Sequence, residues 1–119
     1  MIIVTKIFSF AAAHTLPDHK GLCKNLHGHN YKLEVTVGAE YLNENFMIID
    51  FGELKNIINE NIIKKYDHAY LNAFFENPTA EVIVREMFST LDEIFKEKYV
   101  NLIKIKLWET DTCFAEYRR

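Results

Sequence analysis

An α+β fold, two helices laid on one antiparallel sheet in the order ββααββ, is what the sequence predicts, and three observations predict it. Side chains alternate in character over residues 2–13 and 27–37 and again from residue 103, apolar residues recur at helical spacing in two windows between, and no repeat, low-complexity tract or linker divides the chain. With 119 residues and 49% hydrophobic content, residues 1–119 fit a single domain with its own core.

The first strand covers residues 2–13, rich in β-branched and aromatic types, with Phe8, Phe10 and Ala12 on one side and Ile7, Ser9 and Ala11 on the other. His14 to Leu26 gathers Pro17, Asp18, Gly21 and Asn25 and reads as a loop. From His27 to Val37 the alternation is clean: His27, His29, Tyr31, Leu33, Val35 and Val37 share one face of a second, half-buried strand. Asp50 stands at an N-cap position before Leu54, Ile57, Ile58 and Ile62, which places a first helix up to about residue 65. The run Asn77-Pro78-Thr79-Ala80-Glu81 announces a second helix, with proline suited to its first turn and the apolar stripe Val84, Met87, Phe88, Leu91 and Phe95. Ile103, Ile105 and Leu107 alternate against Lys104 and Lys106 in a third strand, and a turn near Thr110-Asp111 leads to a last strand over 112–117. A four-stranded sheet covered by two helices leaves its edges open, so oligomerisation through those edges is expected.

Several function classes are excluded by composition. A formal charge of −3 with no run of five or six like charges provides no basic footprint for nucleic acid. Met1 to Phe10 lacks a basic region and a small-residue cleavage site, and no stretch approaches the roughly 18 to 20 apolar residues of a membrane span. A soluble cytoplasmic protein is expected, with Cys23 and Cys113 kept as free thiols. Cys113, in a short apolar strand, reads as a small buried hydrophobe.

The chemistry-bearing residues are histidines first. His27 and His29 leave the same face of one strand, and His14 ends the neighbouring strand on the Phe8, Phe10, Ala12 side, so two facing strands bring all three together. A lone strand histidine is usually a hydrogen-bonded core residue. Three neutral imidazoles suit zinc, however, and three protein ligands leave a coordination position open, as in catalytic sites. Cys23, four residues before His27, is compatible with a fourth ligand, a nucleophile, a base or a plain buried residue. Asp67-His68 is either a solvated dipeptide or a carboxylate orienting an imidazole. His19 reads as solvent-exposed. Glu109 continues the face of Ile103, Ile105 and Leu107; a carboxylate aimed to that side needs a partner or a ligand unless the face meets water there.

Cys23-Lys24-Asn25-Leu26-His27-Gly28-His29-Asn30-Tyr31, preceded by Phe10-Ala11-Ala12-Ala13-His14, resembles the CxxxHGH and F-x-A-A-H signatures of the 6-pyruvoyl-tetrahydropterin synthase and 6-carboxytetrahydropterin synthase family. Asp50-Phe51, Asp67-His68 with Leu71-Asn72, Pro78-Thr79-Ala80-Glu81 and Glu109-Thr110 are similar to further blocks of that family in the same order, so the resemblance spans essentially the whole chain. It implies the tunnelling fold (T-fold), whose sheets join edge to edge into a barrel as trimers that stack into a homohexamer with active sites at subunit interfaces. It implies zinc on His14, His27 and His29, Cys23 as general base, Asp67 and His68 as a proton relay, and Glu109 as anchor for the pterin ring, with Thr79 as a further substrate contact.

The activity so implied is that of a lyase acting on 7,8-dihydroneopterin triphosphate. The brevity of the chain and its Cys-Lys-Asn-Leu-His loop resemble the queuosine-type 6-carboxy-5,6,7,8-tetrahydropterin synthase, which releases acetaldehyde and triphosphate. The sister reaction, triphosphate elimination without side-chain cleavage, is the alternative, followed by a non-catalytic pterin- or zinc-binding module. Joint presence of Cys23, Asp67 and His68 favours catalysis, and a plain zinc hydrolase would need neither Glu109 nor a nearby thiol. Two departures stand out: Phe46, where many relatives carry glycine, and Val84, where a small residue is common.

Overall fold

A computed structural model describes residues 1–119. Two long strands, β1 (Ile2–His14) and β2 (His27–Ala39), pair antiparallel along their full length, from Ile2 opposite Ala39 to His14 opposite His27. The alternation read from sequence holds: Phe8, Phe10, Ala12 and His14 turn inward beside Tyr31, Leu33, Val35 and Val37.

A helix follows, α1 (Phe51–Ile58), which runs through a π-helical turn (Asn59–Ile63) into the short α2 (Lys64–Tyr66). Asp50 caps it, its Oδ1 accepting from the Gly52 and Glu53 amides at 2.6 and 3.4 Å. The buried residues of this segment, Leu54, Ile58, Ile62 and Tyr66, are four apart. At 3.6 residues per turn each such step drifts by about 40°. The wider π turn takes up the drift and keeps the four side chains on β1.

After α2 come β3 (Ala69–Tyr70), α3 (Ala80–Phe95), β4 (Asn101–Thr110) and β5 (Cys113–Arg118). Thr79 is the N-cap of α3, its Oγ1 accepting from the Val82 amide at 3.2 Å. Ile83, Val84, Met87, Phe88, Leu91 and Phe95 are buried, and α3 lies on β4 and β5. Val84 is accommodated in the packed face at 3% exposure.

The sheet order is β3-β1-β2-β4-β5. The α+β class, the antiparallel core of the sheet and the two covering helices agree with the sequence reading, while four details are corrected. The sheet has five strands, because β3 adds two residues parallel to β1 at Ala12 and Ala13. The last strand runs over 113–118 instead of 112–117. Pro78 precedes the cap instead of occupying the first helical turn. Cys113 is exposed, at the first position of the edge strand β5. β3 pairs with so little of β1 that residues 2–10 keep an open edge, and the outer edge of β5 is open too. No helix is long and apolar enough to cross a membrane.

Candidate metal centre and catalytic groups

The β1–β2 register ends on the pair His14–His27, and strand alternation turns His29 to the same side. The ligand nitrogens of His14, His27 and His29 all lie within 4.8 Å of one another, and no cysteine or carboxylate belongs to that group. His14 is wholly buried and the other two are half-buried.

Two backbone carbonyls set the ring orientations. His14 Nδ1 donates to the Pro78 carbonyl at 2.8 Å, and His27 Nδ1 donates to the Asn25 carbonyl at 2.7 Å. A carbonyl only accepts, so each neutral ring carries its proton on Nδ1 and presents a lone pair at Nε2. These two Nε2 atoms face each other across 3.0 Å. Two opposed lone pairs at that distance repel unless a cation lies between them. His29 Nε2 is buried and has no hydrogen-bond partner; the nearest carboxylate, Glu109 Oε1, is 3.3 Å away but out of hydrogen-bond alignment. Burial holds the His29 imidazole below its usual pKa, Glu109 works in the opposite direction, and the other two histidines add to the lowering. Neutral imidazole, the ligating form, is thereby favoured. The donor set fits a metal ion with three nitrogen ligands and room for a fourth.

The surrounding groups hold the cluster in place. Asn72 clamps the residue after His14: its Oδ1 accepts from the Thr15 amide at 2.9 Å, and its Nδ2 donates to the Thr15 carbonyl and hydroxyl, both at 3.0 Å. The Tyr31 hydroxyl lies 3.5 Å from His14 Nδ1; burial, with Glu109 second, raises its pKa, so it stays neutral. Sequence reasoning missed the roles of Pro78, Asn25 and Asn72. Asn72 was visible only as part of a family block, and two of the groups are backbone carbonyls, which no residue type advertises.

The other predicted residues fall in three places. Cys23 lies on the short 3₁₀ turn Leu22–Lys24, half-buried, with its carbonyl accepting from the Leu16 amide at 3.0 Å; its thiol is outside the metal-ligand group. Glu109, at the end of β4, reaches His29 on one side. On the other it borders a cavity of ≈ 370 Å³ between β5 and the start of α3, lined also by Ala80, Glu81, Cys113 and Phe114. Thr79 sits at the cap of α3 beside this cavity and next to the Pro78 that orients His14. His19 is exposed, and its Nδ1 accepts from the Gly21 amide.

Asp67 and His68 do form a pair, with His68 Nδ1 3.0 Å from Asp67 Oδ1. They clasp the edge of β1: Asp67 Oδ1 accepts from the Ala11 amide at 3.0 Å, and the His68 amide donates to the Ala11 carbonyl at 2.6 Å. The Ala11 N–H is the main reason the Asp67 carboxyl lies below its ordinary pKa, with His68 adding to it. His68 takes φ +62°, a left-handed conformation rare outside glycine, and this turn throws its imidazole into solvent. It borders a depression lined also by Ala11, Ala13, Gly28, His29 and Ala69. Neither Asp67 nor His68 belongs to the group of three ligand nitrogens.

A profile of the family described as 6-pyruvoyl tetrahydropterin synthase matches residues 3–119. A 6-carboxy-5,6,7,8-tetrahydropterin synthase of Haemophilus influenzae is 34% identical over 143 aligned positions, covering 99% of each chain. One of Synechocystis sp. is 37% identical, covering 98% of this chain and 93% of its own. Among solved structures, the 6-pyruvoyl tetrahydropterin synthase of Caenorhabditis elegans superposes with a TM-score of 0.87 at 26% identity, covering 99% of this chain and 95% of its own.

Proposed function

Because the chain belongs to the 6-pyruvoyl tetrahydropterin synthase family, we propose that it is a 6-carboxy-5,6,7,8-tetrahydropterin synthase, a zinc-dependent lyase of the queuosine pathway working in the cytoplasm. The relatives that carry that name align along nearly the whole chain. The observation that carries the chemistry is the meeting of three buried or half-buried imidazoles with two Nε2 lone pairs turned on each other.

The substrate is 7,8-dihydroneopterin triphosphate, and the products are 6-carboxytetrahydropterin, acetaldehyde and triphosphate. His14, His27 and His29 would hold the zinc, whose chemistry there is that of a Lewis acid toward the side-chain oxygens of the substrate. Glu109 accepts the paired N–H groups of the pterin ring, which the cavity between β5 and α3 receives. Thr79 spends its oxygen on the Val82 amide and keeps a hydroxyl proton to donate toward the substrate. Cys23 Sγ takes and returns protons at the substrate side chain. Asp67 holds the His68 tautomer through Nδ1, leaving Nε2 free to relay a proton.

Neither residue of the dyad belongs to the three-histidine group of its own chain. A second copy whose His68 reaches the metal centre would complete the site, and the open edges of β1 and β5 offer the means of assembly. A homohexamer built as a dimer of trimers meets both needs. The sister reaction, which retains the side chain as 6-pyruvoyltetrahydropterin, is the second reading, favoured by the likeness to the nematode enzyme.

Purified, zinc-loaded protein given 7,8-dihydroneopterin triphosphate tests the reading. Acetaldehyde and 6-carboxytetrahydropterin are expected, and Cys23→Ala should abolish both. A pyruvoyl product without acetaldehyde would move the chain to the sister activity, and no turnover with zinc bound would leave a binding module.

A further inference from the structure

The helix-free face of the sheet carries a cluster that no step of the proposed reaction uses. The Lys32 ammonium of β2 stands 4.4 Å from the centroid of Trp108 on β4. The Lys106 ammonium stands 4.4 Å from the ring of Phe114 on β5 and 5.7 Å from Trp108. The two rings tilt together with centroids 4.5 Å apart. Two like charges thus converge on one indole.

Neither ammonium is neutralised. Glu34 stands opposite Lys106 in the β2–β4 ladder, where a cross-strand ion pair would ordinarily form. Its carboxylate instead accepts the Trp108 indole N–H at 2.5 Å. The other carboxylate on this face, Glu116, is engaged by Lys104 at 3.6 Å and by Arg118 at 3.7 Å. Ring faces hold Lys32 and Lys106 in position without consuming their charge, because cation–π attraction leaves the N–H donors free. Counted over this face, Lys32, Lys104, Lys106 and Arg118 outnumber the carboxylates Glu34 and Glu116, which leaves a local excess of positive charge in a chain of net charge −3, and the complement of two fixed ammonium groups is a multivalent anion.

We propose that Lys32 and Lys106, positioned by Trp108 and Phe114, form a binding site for a free oligophosphate, whose several charged groups engage both ammonium groups at once. The site is separate from the metal centre, which lies on the helix-covered face, and it does not rest on the reaction proposed above.

Trp108 is the single tryptophan of the chain, so its emission reports from the site itself. Zinc-loaded protein is titrated with sodium tripolyphosphate, orthophosphate and sulfate at fixed ionic strength. The expected result is a saturable change with tripolyphosphate and affinities at least about tenfold weaker for the two smaller anions. A Lys32→Gln/Lys106→Gln double variant that melts like the parent should bind tripolyphosphate about a hundredfold more weakly, while His27→Ala binds it as the parent does. Added sodium chloride should weaken binding to the parent protein, a test independent of any variant. An absent or non-saturable response, unchanged affinity in the double variant, loss of binding in His27→Ala, or indifference to salt would each overturn the proposal.

Discussion

His14 joins every layer of the candidate site: it ends β1, faces His27, is wholly buried, and is fixed by a carbonyl from the loop before α3. Its neighbour Thr15 is clamped by the three hydrogen bonds of Asn72. Asn72→Ala should cost about 2 kcal/mol of stability by urea denaturation, since it strands the Thr15 amide and carbonyl. If the clamp also positions His14, the same variant should bind zinc about tenfold more weakly in a chelator competition; loss of stability with unchanged zinc affinity would reduce Asn72 to a structural role. Asp67 makes a pH prediction. Its folded pKa lies below the ordinary 3.8, chiefly through the Ala11 amide. Its contribution to stability is therefore complete above that value and disappears as pH falls through the lower folded value. An NMR titration should place the Asp67 midpoint below 3.8, with the Ala11 amide shift following it; a midpoint at or above that value would contradict the contact.

Among the elements, the loop between β2 and α1 stores strain. Phe46 has φ +61° and is 83% exposed, in a turn closed by Asn43, whose Oδ1 accepts from the Asn45 and Met47 amides at 2.9 and 3.1 Å. An exposed phenylalanine gains nothing from that conformation, so Phe46→Gly should stabilise the fold by about 1 kcal/mol in chemical denaturation. No change, or a loss, would show that the ring is anchored in the folded chain. The cap of α3 gives the opposite sign: Thr79→Ala should cost about 1 kcal/mol. The sequence made the inward face of β2, the α3 stripe and the Asp50 cap legible, because each is a local pattern with a fixed period or a known terminal chemistry. It did not announce β3, whose two residues have no period and exist because Asp67 and His68 clasp Ala11. The π turn was equally hidden, although the four-residue spacing of Leu54, Ile58, Ile62 and Tyr66 was its trace. Asp67-His68 was seen as a pair, but the exposure of its imidazole goes with the positive φ of His68, which the residue type does not reveal.

For the whole molecule, the open strand edges go with the proposal that the site is shared between copies. Residues 2–10 of β1 and the outer edge of β5 present unpaired backbone, and His68 is no member of the three-histidine group. A chain that works in a ring can draw the dyad from a neighbour. If the three histidines hold a metal, removing it should weaken the fold, since ligand binding to the native state adds to its stability by mass action; chelator treatment is then expected to lower the melting temperature of the parent protein and to leave that of His27→Ala unchanged. The most direct test mixes two inactive variants, His27→Ala and His68→Ala, by joint refolding, followed by the assay of acetaldehyde from 7,8-dihydroneopterin triphosphate. Shared sites predict recovered activity, because some sites then combine the intact histidines of one chain with the intact dyad of another. Mixed oligomers that form and stay inactive would contradict a site divided between copies.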